Sequence, residues 1–392
     1  MSSKSRYESL DAIRGIAAAV VLLHHCLLVL PVWAAVVDSG RRESFLTTLF
    51  GFPPLSLIWA GDAAVKVFFV LSGFVLSLMF FDRTPVHYAA FAVKRLCRIY
   101  LPYLAVVFAG MLLMTALSTY PWPDLSFWVA GSWNGPVTWP LIVDHVLMLG
   151  QIKYNIVDNP IWSLVIEMRY SLAFPAIIWL ISRTMWQVAF SASLLLSVAS
   201  MLMISRFGRY WIFDLLQYAF LFVSGALLAK NRAAAAGWFR ELPAGCRASM
   251  GCTSLLLLST FCLIHVRLHA LRVIAILTPH LGAVLLLLVV IGSYRVQRML
   301  IAKPLLWLGQ ISYSLYLSHV VVLLTLISIL HGRVRIEMIL VLTPFVAIVV
   351  AWVLYHTLER PSMRLGRILA GRVDSRRTLA PRAVGAPAVA ES

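Results

Sequence analysis

Charge is scarce in this chain of 392 residues: Asp, Glu, Lys and Arg make up 12% of it, against roughly 25% in soluble domains. Hydrophobic residues make up 61%, and the mean hydropathy is +0.88. No soluble core of this size could hide so much apolar surface, so lipid is the solvent for most of the chain. Acidic residues are scarcer still, 16 against 33 Lys and Arg, which leaves a net charge of +17. The basic residues flank apolar runs and read as topology markers, so no nucleic-acid partner is expected. Five cysteines occur, Cys26, Cys97, Cys246, Cys252 and Cys262, odd in number, scattered and without a C-x2-C pair. That speaks against a disulfide framework and against a zinc site. The sequence also has no G-x-S-x-G, no Walker A loop, no G-x-G-x-x-G and no H-x4-D. A serine-hydrolase elbow, a phosphate-cradling loop and a dinucleotide-binding turn are thereby excluded. No metal and no bound cofactor is expected.

What the sequence does have is a series of apolar runs. A span takes roughly 20 mostly apolar residues. About ten stretches qualify: 10–31, 63–81, 98–119, 161–181, 185–205, 210–229, 250–266, 271–292, 305–330 and 337–358. The expected fold class is therefore all-α, a polytopic transmembrane helical bundle. The run from Ile16 to Trp33 is followed by no small-residue cleavage site and is expected to stay as the first helix. Residues 1–366 read as one transmembrane domain. Residues 367–392, rich in Arg, Ala and Pro, read as a disordered cytoplasmic tail. Lys and Arg gather in the connections on the side that holds both chain ends. The expected placement is the inner membrane, multi-pass, with both termini cytoplasmic.

A charge inside a span is costly and marks a functional candidate by default. Arg14, Glu167 and Arg169 lie in or near spans, and His24, His25 and His319 add titratable groups. Lys66 sits near a helix end, where it is expected to snorkel. Arg14 and His25 are separated by nearly three full turns, so they share a face about 16 Å apart. Counted from the span ends, Glu167 lies roughly 9 Å deep from one side and His319 roughly 21 Å from the other. His25, Glu167 and His319 thus fall at similar depth from three spans, which suggests a polar pocket open to the outside. The plainer alternative is an Arg at the headgroups and a His bonded between helices. Lys94, Arg95 and Arg98 enter the third span, and Arg360 and Arg364 follow the last. They form either a phosphate-holding rim or a positive-inside marker. The connection 120–160 carries Tyr120, Trp122, Trp128, Trp133, Trp139 and Tyr154. It is either an interfacial aromatic belt or a stacking surface for sugar rings.

Six motifs in order then carry a resemblance. Leu10-Asp-Ala-Ile-Arg14-Gly15 with His25, Val67-Phe-Phe-Val-Leu-Ser72-Gly73-Phe74 and Arg98-Ile-Tyr-Leu-Pro102-Tyr103 come first. Trp162-Ser163-Leu164 with Glu167, the run Ile311-Ser-Tyr313-Ser-Leu-Tyr-Leu-Ser-His319, and Glu359-Arg360-Pro361 follow. Together they resemble the signatures of the membrane acyltransferase-3 family, which O-acylates sugars and polysaccharides. Lys66 departs from that pattern, because many members carry an acidic residue there.

The resemblance implies an acyl-CoA co-substrate, usually acetyl-CoA, reached from the cytoplasm, and a carbohydrate acceptor hydroxyl on the outer side. It implies a lipid bilayer as surroundings. On this reading His25 is the base or transient acyl carrier and Glu167 orients it, as a carboxylate orients a histidine in a triad. Arg14, Arg95, Arg98, Tyr103 and Arg360 bind the donor. Ser72, Ser163, Tyr313 and His319 line the pocket. The alternative from another class is a transporter of an acyl group or glycan, because polar residues at matched depth also fit a substrate pathway.

Overall fold

The computed structural model describes residues 3–81, 87–117, 122–148, 154–260 and 269–378. Tyr120, part of the expected seventh span (261–266) and residues 379–392 lie outside the described residues, as does the side chain of Tyr154. Among the described residues the fold is all-α. Nine helical stretches are long and apolar enough to cross a membrane, from Glu8–Leu28 to Ile336–Val373, and they coincide with nine of the expected runs. The described part of the seventh run lies in a helix, Ala244–Ser259, of 16 residues.

Eight helices build the site and its frame. They are α1 (Ser3–Leu28), α2 (Gly61–Phe81), α3 (Leu101–Leu117), α4 (Trp139–Leu147), α5 (Ile161–Arg183), α6 (Ala219–Lys230), α7 (Lys303–Leu330) and α8 (Arg360–Thr378). The centre of the bundle is α1 packed between α2 and α7. Lipid provides no hydrophobic drive between helices, so close contact comes from small residues that let backbones touch. At the α1–α7 crossing a Cβ on Gly15 would stand 2.6 Å from the backbone nitrogen of Gly309, and a Cβ on Gly309 would overlap the carbonyl of Asp11. Gly73 and Gly225 make the same kind of contact between α2 and α6. Gly309→Val should therefore push α7 off α1 and destabilise the protein by about 1–3 kcal/mol or more. A detergent-solubilised variant with an unchanged Tm would refute that close approach.

The connection 120–160 does not simply lie over the bundle. Its helix α4 ends at Met148, a left-handed C-cap with φ +50. The last carbonyls of α4 are taken by side chains from deep in the bundle: Tyr103 donates to His145 O at 3.1 Å, and Tyr100 donates to Val146 O. Arg169 donates to Met148 O at 2.9 Å. Tyr100 lies about 25 Å below the Leu117 end of α3, and Arg169 about 12 Å below the Ile161 end of α5, at 1.5 Å per residue. So α4 is a re-entrant helix. Its C-terminal carbonyls can lie at that depth because protein donors satisfy them. Above it, Trp133 Nε1 donates to Val157 O at 3.0 Å, and Asp124 pairs with His331 at 2.9 Å.

Two expectations do not hold. Lys66 does not snorkel: it is 3% exposed and pairs with the Asp62 carboxylate one turn earlier. The chain after residue 366 does not begin as a disordered tail: α8 continues to Thr378. It packs on the helix Tyr88–Arg95 and the turn Leu96–Tyr100 after it, where a Cβ on Gly366 would stand 2.8 Å from Cys97 Cβ.

Candidate active site

The polar residues of the core form two layers along α1. The upper layer centres on His25. Its Nδ1 lies 2.9 Å from Val21 O and 3.1 Å from His319 Nε2. His319 Nδ1 in turn lies 3.1 Å from Leu315 O. A carbonyl oxygen only accepts, so each Nδ1 carries the proton in the neutral rings. His319 Nε2 is then an acceptor for the Nδ1–H of His25, and Nε2 of His25 is left as a lone pair. The ring of Trp128 stands 5.3 Å from that of His25, and the side chain of Asn159 is a further hydrogen-bonding neighbour. One turn below His319, the Tyr316 hydroxyl meets Ser163 Oγ at 2.7 Å, and both donate to Pro160 O, at 3.2 and 3.1 Å.

The lower layer is basic. Arg14, Arg95 and Arg98 line a narrow cavity with Ser72, Glu167, Leu71 and Val75. Its volume is about 10 Å³, room for one water. Ser72 Oγ donates to Glu167 Oε1 at 2.8 Å. Glu167 faces both Arg95 and Arg98 electrostatically, and Arg98 also faces Glu359. Ser314 donates to Glu359 at 2.6 Å. Arg98 and Glu359 each sit in a π-helical turn, Leu96–Tyr100 and Tyr355–Glu359. Such turns are rare and frequent at functional sites. Here Pro102 supplies the cause of the first, since it has no N–H to continue an α-helical ladder. Next to it, the Ile99 carbonyl accepts from the Tyr313 hydroxyl at 2.6 Å.

A family profile described as an acyltransferase domain matches residues 7–357. The chain belongs to the acyltransferase-3 family. It is also similar to O-acetyltransferase PaAT-1 of Phomopsis amygdali, 27% identical over 254 residues, or 57% of this chain and 48% of that protein. The chain thus spans about half the length of the curated relative it matches. No solved structure matches.

In this acyltransferase-3 chain the residues expected to line one outer pocket fall in two layers. His25, His319 and Ser163 meet in the upper layer, and Arg14, Arg95, Arg98, Ser72 and Glu167 meet in the lower. The expected His25–Glu167 pair does not form: Glu167 bonds Ser72 among the arginines, and the partner of His25 is His319. Three other placements also differ. Tyr103 is fully buried and braces α4 rather than lining the donor cavity. Tyr313 bonds Ile99 O at the lower level, and Arg360 is exposed beside Glu359. Sequence reasoning missed Tyr316, Asn159 and Glu359. Tyr316 was legible as the residue one turn before His319 on the same face, and Glu359 stands in the last of the six motifs.

Proposed function

We propose that this protein is a membrane O-acyltransferase that takes an acyl group, acetyl in the simplest case, from acyl-CoA on the cytoplasmic side. The acceptor is a hydroxyl of a cell-envelope or exported carbohydrate on the outer side. The chain is a multi-pass protein, and on this reading it sits in the inner membrane with both termini in the cytoplasm. The observation that carries the reading is the placement of His25 Nδ1 against Val21 O and His319 Nε2, which leaves Nε2 as the basic nitrogen. The lower arginines suit the phosphates of CoA. A cavity of about 10 Å³ means that these side chains rearrange to admit them.

The chemistry follows from the tautomer. The acceptor O–H gives its proton to His25 Nε2 as its oxygen attacks the thioester carbonyl carbon. The Nδ1–H, already directed at His319 Nε2, lets that neutral ring share the charge of the imidazolium. Collapse breaks the C–S bond, and the CoA thiolate takes the proton back from Nε2. The products are an ester and CoA thiol, with no net proton change. Trp128 offers an apolar ring face beside the base for a sugar ring. Glu167 holds the arginines apart in the lower layer until phosphates replace it.

Sealed vesicles of both orientations, supplied with labelled acetyl-CoA on one side, test the reading. Label is expected in envelope glycan only when acetyl-CoA faces the cytoplasmic surface. Intact thioester and unlabelled glycan in both orientations would reject it.

A further inference from the structure

Asp158 is buried with no exposed surface, and neither of its carboxyl oxygens has a hydrogen-bond partner among the described residues. A buried polar group left without a partner costs about 1–3 kcal/mol, so such a group in a folded protein needs a reason. No cation among the described residues neutralises it. Burying an unpaired charge is far costlier than burying a neutral group, so a carboxyl in this setting is held in its neutral form. The groups that face it are hydroxyls, Tyr103 from α3 and Tyr316 from α7.

Its place in the chain is as specific as its chemistry. Val157 O holds the Trp133 indole at 3.0 Å, so the backbone before it is pinned to the aromatic segment. Asn159, the next residue, reaches the ring of His25. Pro160 O receives the Tyr316 and Ser163 hydroxyls. Asp158 thus belongs to a tripeptide clamped under the upper layer on both sides, and it cannot swing out to water without breaking those bonds.

We propose that Asp158 is the acceptor-binding group of the upper layer, a neutral carboxyl that hydrogen-bonds a hydroxyl of the acceptor next to the one being acylated. This rests on the O-acyltransferase reading above. A neutral carboxyl offers one O–H donor and one carbonyl acceptor, which matches a hydroxyl that itself donates and accepts. The ligand class is a vicinal diol or polyol. An acceptor whose only hydroxyl is the reacting one would leave the carboxyl unpaired, and a site built to bond a hydroxyl rejects acceptors that lack it. Asp158 is a specificity residue on this view. It takes no proton from the reacting oxygen, which remains the role of His25.

Two variants separate this role from a structural one. Asp158→Asn keeps the shape and the donor–acceptor pair without an ionisable group. Asp158→Leu keeps the branched outline, at greater volume, and removes both. Initial rates are measured with labelled acetyl-CoA and a glycan fraction from the envelope of the expression host, varying each in turn. The expected result is that Asp158→Leu raises the KM for glycan about tenfold and leaves the KM for acetyl-CoA unchanged, while Asp158→Asn stays within about threefold of wild type. Wild-type kinetics in both variants would overturn the proposal and leave the acyltransferase reading standing. Loss of activity in both variants would overturn it too, because an ionised or structural Asp158 would then be required. No transfer by the wild-type protein would overturn both readings together.

Discussion

His25→Ala is expected to lower the rate of acyl transfer at least about a thousandfold, the upper part of the range for a positioned general base. The ring is held by its own helix through Val21 O and by α7 through His319. The neighbouring His24 stacks on Trp59 and bonds its carbonyl oxygen at 2.9 Å, so it does not take over the position. The protein itself should survive the change, since the two bonds lost are a side chain to its own helix and a contact between two neutral rings. The measurement is labelled transfer into glycan at equal amounts of folded protein. A rate within tenfold of wild type would remove His25 from the chemistry. His319→Gln should fall between the two. Glutamine keeps an acceptor near Nδ1–H but cannot share the imidazolium charge, so a loss of about 10–100-fold is expected.

The matched depth of His25 and His319 was legible in the sequence. Each is placed by counting residues along its own span, and α1 and α7 cross at Gly15 and Gly309. Ten residues above that crossing on each helix stand the two histidines, so equal rise along both brings them to one level. The same counting failed for Glu167, and the reason is geometric. It assumes that α5 starts at the level where α1 ends. Instead Pro160, at the head of α5, lies beneath Tyr316, already one turn below the histidines. Glu167, about 10 Å further along, therefore reaches the arginines.

The re-entrant helix α4 was not legible for a different reason. Trp139–Leu147 is nine residues of mostly apolar sequence. A run that short is equally a surface segment, an interfacial turn or a re-entrant helix. What decides is the set of donors for its last carbonyls, and these come from Tyr100, Tyr103 and Arg169, far away in sequence. Lys66 is the opposite case. Asp62 stands four residues before it, the spacing at which opposite charges meet on a helix. The pair was there to be read, and the expectation of snorkelling passed over it.

Arg98 sets the second large effect, because it faces two carboxylates, Glu167 and Glu359, inside the bundle. Arg98→Ala removes the cation that both carboxylates face and leaves them with less counter-charge inside the bundle, which destabilises the fold. The expected outcome is loss of most folded protein, seen as aggregation on detergent extraction. Arg98→Lys keeps the charge and the fold but loses the planar fork that grips a phosphate with two bonds. Its KM for acyl-CoA should rise about tenfold or more, given about 1.5–3 kcal/mol for a hydrogen bond to a charged group, with the KM for glycan unchanged. Glu167→Gln completes the test, because it separates the two layers. As the orienting carboxylate of a triad, Glu167 would be worth about 10⁴ in kcat. As a placeholder among the arginines it alters the KM for acyl-CoA and leaves kcat within a few fold. A collapse of kcat at saturating acyl-CoA would tie Glu167 back to His25 and break the division of the site into a donor layer and a transfer layer.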